Sequence, residues 1–197
     1  MSKLEYIKRI FTESIAVKKA ALEDLSALIA QAGEVMANAL YEGHKILSCG
    51  NGGSAADAEH FAGEMMNRFL LERAPLPAVA LSSGTSVVTA IANDYNYTDV
   101  FAKQVEALGN KGDVLLAIST SGNSANVVKA IIAAHAKGLR VIALTGNDGG
   151  KMAQELNAED VELRVKCRVT PRVQETHIVI IHCLCELIEA QLFGARK

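Results

Sequence analysis

The 197-residue sequence lacks the features that mark several specialised classes of protein. It has no basic excess, since 20 Lys and Arg stand against 22 Asp and Glu, which gives a formal net charge of −2. No basic cluster appears along the chain, so the electrostatic signature of a nucleic-acid-binding protein is missing. Long linkers, low-complexity tracts and internal repeats are also missing. The length suits one domain, and we expect a single globular domain over residues 1–197.

Segments that would direct the chain into a membrane are not evident either. The N-terminal MSKLEYIKRIFTESI carries charges every few residues and has no uninterrupted apolar region, so it does not read as a signal peptide. The most apolar C-terminal stretch, HIVIIHCLCELIEAQLF, is interrupted by two His and two Glu, so we do not expect it to span a membrane. The sequence therefore predicts a soluble cytoplasmic protein without a membrane partner.

The four cysteines do not form a disulfide or zinc-knuckle pattern. None of them makes a C-x-x-C pair. Cys183 and Cys185 lie two apart in a helical pattern and face different sides of it. Free thiols in a reducing compartment are the simpler interpretation.

The order of apolar patterns predicts an α/β fold. Helical spacing over residues 3–41 predicts two helices before the first strand. Five short apolar runs then alternate with helical patterns, and the last helix is expected from about Pro171 to Phe193. Such alternation indicates parallel β-α-β units with helices on both faces of a twisted sheet. The five predicted strands are KILSCG, PAVAL, DVLLAIS, RVIALTG and DVELRV.

The third predicted strand runs into a turn that is suited to a phosphate group. Ser119-Thr120-Ser121-Gly122-Asn123-Ser124 is followed at once by a helical pattern. Helix N-termini present unpaired N–H groups and a partial positive charge to anions, and four hydroxyls add further donors. The alternative is that these residues only cap the helix, as Ser, Asn and Gly often do. Because one cap needs only one such residue, we favour the phosphate site.

The first predicted strand ends in a second glycine-rich turn, CGNGGSAADAEHFAGE. Gly50, Gly52 and Ala55 fit the dinucleotide fingerprint G-x-G-x-x-A. A dinucleotide site also needs an acidic residue after the next strand, but PAVAL is followed by Ser-Ser-Gly. We therefore reject an NAD site, and the lack of G-x-x-x-x-G-K-[ST] excludes a Walker-type ATPase.

Two helices carry candidate reactive side chains. His60 and Glu64 are four residues apart after the first glycine-rich turn, so they project from one helix face. Gln174 and His182 lie in the last helix. Each pair fits a structural role as well as a functional one, because H-x-x-x-E is common on surface helices and His182 has apolar neighbours.

Zinc is a further candidate, since His and Glu ligate it readily and Gln does so less often. Gln174 and His182 are eight residues apart, which is about 12 Å along a helix. They could share one metal ion only if both side chains lean inward or if different subunits supply them, and the sequence does not choose between these arrangements.

Together these blocks resemble the phosphoheptose isomerases of the sugar isomerase (SIS) domain superfamily. The resemblance covers nearly the whole chain and is carried by SCGNGGSAADAEHFAGE, TAIANDY, GDVLLAISTSGNSANVVKA, ALTGNDGGKMA and RVQETH. It implies a five-stranded parallel sheet flanked by helices. It also implies a homotetramer with active sites at subunit boundaries, acting on a sugar phosphate.

The resemblance also implies the activity and the roles of individual residues. The family converts D-sedoheptulose 7-phosphate to D-glycero-D-manno-heptose 7-phosphate, the first step towards the ADP-heptose of lipopolysaccharide core. One Zn²⁺ per subunit is implied, with ligands at His60, Glu64, Gln174 and His182. The implied substrate-binding residues, to which Glu64 and Gln174 also belong, are Asn51, Gly52, Gly53, Ser54, Asn93, Asp94, Ser119, Thr120, Ser121 and Ser124.

The resemblance makes an aldose–ketose isomerisation through an enediol(ate) the expected reaction. We assign Glu64 as the base and His182 as the partner acid. A zinc-bound carboxylate is a weaker base, so Glu64 either alternates between roles or the metal is partly structural.

One alternative comes from a different functional class. A non-catalytic SIS-domain tetramer that binds the replication initiator protein also resembles this chain from end to end. That group lacks the Glu and the late His, so Glu64 and His182 favour catalysis. A sugar-phosphate sensor would retain the phosphate turn and need neither residue.

Overall fold

The computed structural model of the protein describes residues 1–194. They form seven α-helices and five β-strands, and at least one helix separates each strand from the next, as the apolar pattern predicts. The helices are α1 (Lys3–Tyr41), α2 (Gly53–Met66), α3 (Thr85–Asp94), α4 (Ala102–Leu108), α5 (Ala125–Ala136), α6 (Gly150–Glu155) and α7 (Thr170–Phe193). The strands are β1 (Ile46–Cys49), β2 (Ala78–Ala80), β3 (Val114–Ser119), β4 (Arg140–Gly146) and β5 (Val161–Val165). The predicted extent of the domain includes residues 195–197, which lie outside the described residues, and it stays a prediction.

The N-terminal segment forms one helix, so the prediction of two helices is wrong. Ser2 caps α1 and forms a capping box with Glu5. No Gly or Pro occurs between Lys3 and Gly33, so nothing in the sequence ends the helix there. Gly33 lies where α7 approaches closely, because a Cβ at this position would collide with the side chain of Leu187.

The five strands form one parallel sheet in the order β2-β1-β3-β4-β5, which confirms the predicted fold class. All six residues of β3 are buried, as expected when helices cover both faces of a sheet. Alternate residues of β3 pack into two hydrophobic cores, one on each face of the sheet. Val114, Leu116 and Ile118 pack with α1, α2 and α7, whereas Leu115 and Ala117 pack with α4, α5 and α6.

Helix α7 packs inside the first of these cores. It is the one helix of residues 1–194 that is long and apolar enough to cross a membrane. Its buried side chains include the polar groups of Arg172, His177 and Glu189, and its apolar residues pack in the core with α1 and α2. This packing is that of a core helix, and the four cysteines are free as predicted.

Candidate active site at the carboxyl edge of the sheet

The sheet reverses its strand order between β1 and β3. From β1 the chain moves outward to β2 on one side, and β3 then pairs with β1 on the other side. The helices that follow these strands lie on opposite faces, since α2 packs in one core and α5 in the other. Such a switch point opens a crevice beyond the carboxyl ends of the strands, where open α/β sheets bind ligands. Both sequence-predicted loops lie at this crevice.

The loop after β3 turns its hydroxyls towards one another rather than towards the helix. Ser124 is the N-cap residue of α5, but its side chain makes no capping hydrogen bond. Its Oγ lies 2.9 Å from Oγ of Ser119, which in turn lies 3.5 Å from Oγ of Ser121. Among the described residues the backbone N–H groups of 124–126 have no hydrogen-bond acceptor. This arrangement favours an anion site over a simple cap.

The short helix α6 supports the loop after β3 from behind. Gly122 has φ +65°, and a Cβ there would collide with the carbonyl of Gly149. The N–H of Met152 donates to the Gly122 carbonyl at 2.9 Å. Asn123 accepts from the N–H of Lys151 at 3.1 Å. The loop is therefore held before any ligand binds, which reduces the entropy lost on binding.

The two predicted loops are joined by a reciprocal pair of amides. Nδ2 of Asn51 donates to Oδ1 of Asn126 at 2.8 Å, and Nδ2 of Asn126 donates back to Oδ1 of Asn51 at 2.8 Å. The hydroxyl of Tyr97 also donates to Oδ1 of Asn51 at 3.0 Å. Asn51 thus connects the glycine-rich loop to the start of α5.

Gln174 lies at the glycine-rich loop, close to the start of α2. A Cβ at Gly53 would collide with its side-chain amide, so glycine is needed there for space. Gly52 has φ +55° and Ser54 is buried in the first turn of α2. Together with Asn51, the structure therefore brings five of the predicted substrate-binding residues to this loop.

Three of the four predicted metal ligands meet further along α2. Nε2 of His182 lies 3.1 Å from Nε2 of His60, although the two residues are 122 apart in sequence. Nε2 of His60 lies 3.3 Å from Oε1 of Glu64. The ring of Phe69 packs on His182 with centroids 5.4 Å apart. At most one proton can lie between the two imidazole nitrogens, so these rings are poised to share a proton or a metal ion.

The donor set of this group is suited to zinc in kind, although within residues 1–194 no three His, Cys, Asp or Glu side chains form a complete metal cluster. Ligands at 2.0–2.1 Å from a tetrahedral zinc ion stand about 3.3 Å from one another. The His60–His182 and His60–Glu64 separations of 3.1 and 3.3 Å match that value. Gln174 is not part of the group, because Gly53, which it contacts, is about 10 Å along α2 from His60.

Asp57 is a titratable group of this helix that the sequence did not single out. Burial raises its pKa to about 6, which the charge of His60 partly opposes. Its Oδ2 has no hydrogen-bond partner within residues 1–194. It lies three residues before His60 and therefore on a neighbouring part of the same face.

Asn93 and Asp94 end α3, and both are exposed. They bond to each other, with Nδ2 of Asn93 donating to Oδ1 of Asp94 at 2.8 Å. Among the described residues no hydrogen bond joins them to either loop, whereas Tyr97, three residues later, bonds to Asn51. Sequence reasoning missed Tyr97 and Asn126, although Asn126 stands only two residues after Ser124 in the same motif.

Known proteins resemble this chain along nearly its whole length. A family model described as SIS domain matches residues 10–146. A phosphoheptose isomerase of Shewanella baltica strain OS155 is 57% identical over 190 residues, which are 96% of each chain.

Two solved structures share the fold closely. The phosphoheptose isomerase from Neisseria gonorrhoeae superposes with a TM-score of 0.92 at 51% identity, covering 96% of this chain and 100% of that one. The phosphoheptose isomerase from Francisella tularensis gives 0.93 at 44% identity, covering 95% and 98%.

Proposed function

The chain belongs to the phosphoheptose isomerase family of SIS-domain proteins, and from that premise we propose that it converts D-sedoheptulose 7-phosphate to D-glycero-D-manno-heptose 7-phosphate. The observation that carries the proposal is the approach of His182 to His60, which in turn lies beside Glu64 on the helix that begins at the glycine-rich loop. A phosphate loop alone would serve a sensor equally well. An adjoining acid–base group is what an isomerase needs.

Glu64 acts as the base in the proposed reaction. Its carboxylate takes a proton from C1 of the ketose, and the C1–H electron pair forms the C1=C2 bond of an enediol(ate). The same group then returns a proton to C2, which leaves the aldose. Its side chain is about one-quarter exposed, so substrate can reach it.

His182 moves the proton between the two oxygens. It donates to O2 as the enediol forms and accepts the proton of O1 as the aldehyde forms, so no net proton is gained or lost. Its neighbour His60 at 3.1 Å orients the ring, and Phe69 packs against it. Positioned groups of this kind typically each contribute about 10²–10⁴-fold.

We propose His60, Glu64 and His182 as ligands of a zinc ion in each subunit. Because a side-chain atom bound to zinc cannot also carry the transferred proton, Glu64 and His182 would alternate between holding the metal and their acid–base roles. Zinc bound there would polarise the sugar carbonyl. Gln174 would complete the set only from another subunit, since within one chain it contacts Gly53 instead.

Isotope incorporation tests the reaction. The pure protein should convert sedoheptulose 7-phosphate in deuterated water to an aldose that carries deuterium at C2, as seen by NMR. The reaction is run on metal-free and zinc-supplemented protein. If neither form turns over, the enzyme proposal fails and a non-catalytic role takes its place.

The phosphate loop gives the first mutational prediction. Replacing Ser124 with alanine should raise KM by about 10-fold or more, because a hydrogen bond to a charged group is worth about 1.5–3 kcal/mol. Turnover at saturation should change little, since the hydroxyl contacts the phosphate and not the reacting carbons. Inhibition by inorganic phosphate should weaken in parallel. A fall in kcat with unchanged phosphate inhibition would contradict the assignment.

We propose that the chain forms a homotetramer, and α1 supplies the support. Its buried residues begin only at Ala21, so the N-terminal half of this helix, about 58 Å long in all, packs little against its own chain. Apolar residues on one face of it are each more than half exposed: Leu4, Ile7, Phe11, Ile15 and Leu22. Such a stripe is typical of a surface that another helix covers.

Charges on that stripe should break the assembly. The double variant Phe11→Asp, Ile15→Asp is expected to lower the mass measured by light scattering from about four times 21.0 kDa. Folding should persist, because neither residue is buried in the core. Ala16→Asp, which is exposed on the flank of the same helix, is the control. A double variant with wild-type mass would exclude the stripe as an interface.

We further propose that the protein acts in the cytoplasm at the first step towards ADP-heptose. Activated sugars of surface glycans are built from such phosphorylated precursors. The relatives described above are named as phosphoheptose isomerases, so the alternative of a scaffold for the replication initiator protein gains no support.

A further inference from the structure

One buried ion pair lies beside the proposed catalytic group, and neither of its residues has been assigned a catalytic, substrate-binding or metal-binding role. It joins Arg73, in the segment between α2 and β2, to Glu189 near the end of α7. The side chains are 0% and 2% exposed, and Nε of Arg73 donates to Oε1 of Glu189 at 2.9 Å. Buried ion pairs often add little net stability, so such a pair calls for another explanation.

The guanidinium of Arg73 holds the end of the helix that carries Glu64. Its Nη2 donates to the backbone carbonyl of Glu64 at 2.8 Å, and its Nη1 donates to the carbonyl of Met65 at 2.9 Å. Helix α2 ends at Met66, where carbonyls lack partners and the helix dipole is negative. The arginine thus caps the turn from which the proposed base projects.

The carboxylate of Glu189 holds the segment that packs on His182. Its two oxygens accept the backbone N–H groups of Phe69, Leu70 and Leu71, each at 2.9 Å. The ring of Phe69 lies on the His182 imidazole. Glu189 follows His182 by seven residues, which places both on one face of α7.

From these contacts we infer that the Arg73–Glu189 pair is a positioning device that fixes Glu64 and His182 relative to each other. One partner anchors the end of the helix that carries the base, and the other anchors the ring that supports the acid. This inference rests on the proposed function for what the two groups do. A misplacement of about 1 Å can cost about 100-fold in rate, so loss of the pair should reduce turnover more than binding.

The matched variants are Arg73→Met and Glu189→Gln, with Lys45→Met as control. Lys45 forms another ion pair with a buried partner, at 2.6 Å from Asp113, and it precedes β1 at the opposite edge of the sheet. Folded protein at low temperature should show kcat reduced by about 10–100-fold in the first two variants, with KM changed by less than about threefold. Lys45→Met should lose stability to urea but keep kcat within about twofold of wild type. Arg73→Lys, which retains the charge but not the fork of donors, should recover part of the loss.

Amide hydrogen exchange gives a readout that does not need activity. In Arg73→Met, exchange should become faster in residues 60–75 and stay unchanged in the phosphate loop, 119–124. Unchanged kcat in folded Arg73→Met, or a kcat loss equal to that of Lys45→Met, would overturn the inference. If the wild type itself has no turnover, the proposed function fails. The exchange pattern alone then tests whether the Arg73–Glu189 pair holds this part of the structure in place. Faster amide exchange in Arg73→Met that is confined to residues 60–75 then supports the positioning role. An unchanged exchange rate in those residues refutes it.

Discussion

Replacing Glu64 with glutamine should lower turnover by about 10²–10⁴-fold while leaving sugar-phosphate binding within a few-fold of wild type. Glutamine has the shape of glutamate but cannot take a proton from C1. The backbone carbonyl of residue 64 keeps its bond to Arg73, so the helix end is not disturbed. Steady-state kinetics and calorimetric binding of sedoheptulose 7-phosphate measure the two effects separately.

The control for this variant is Glu106→Gln on α4. It removes the same charge from an exposed position and should be neutral. Turnover of Glu64→Gln equal to that of the control would remove Glu64 as the base. Loss of binding together with turnover would assign it to substrate recognition instead.

Acid should destabilise the protein through His177, which is the second large effect. The side chain is fully buried, and it donates from Nε2 to the carbonyl of Thr145 at 3.0 Å. Burial lowers its pKa to about 4, although the bond to Thr145 works in the opposite direction. In the unfolded chain the pKa is about 6.5. Between these two pKa values, His177 therefore carries a proton in the unfolded chain but not in the folded protein.

The free energy of unfolding should consequently fall as the pH drops from about 6.5 to 4, by roughly 3 kcal/mol from this residue. Urea unfolding at a series of pH values measures it. His177→Gln can still donate to Thr145 but does not titrate, so the difference between wild type and variant isolates the histidine. If the free energy of unfolding falls equally with decreasing pH in wild type and in His177→Gln, then His177 does not cause the pH dependence.

The helices and strands can be predicted from the sequence because they depend on patterns of neighbouring residues. Five apolar runs predicted the five strands, and Arg140–Gly146 coincides with its strand end to end. The serine-rich turn is predicted to be an anion site because strand, hydroxyls and helix follow one another directly. The long first helix was divided wrongly, although the lack of Gly and Pro before Gly33 already indicated continuity.

The candidate site itself depends on contacts between distant segments. Periodicity placed His60 and Glu64 on one face, but it could not show that His182 approaches His60 across 122 residues. It left open how Gln174 and His182 relate, and packing against Gly53 places Gln174 at the glycine-rich loop within one chain. The pairing of Arg73 with Glu189 across 116 residues had no local signal at all.

By itself the sequence determined the α/β class, the strands and the family, since each depends on short-range periodicity or on contiguous motifs. The phosphate site after β3 is predicted on the same grounds. Only the tertiary structure decided which side chains meet at the carboxyl edge. Sheet order and the packing of α7 against α2 set those distances. Both result from burying apolar faces that lie far apart along the chain, so they cannot be inferred from any short segment of the sequence.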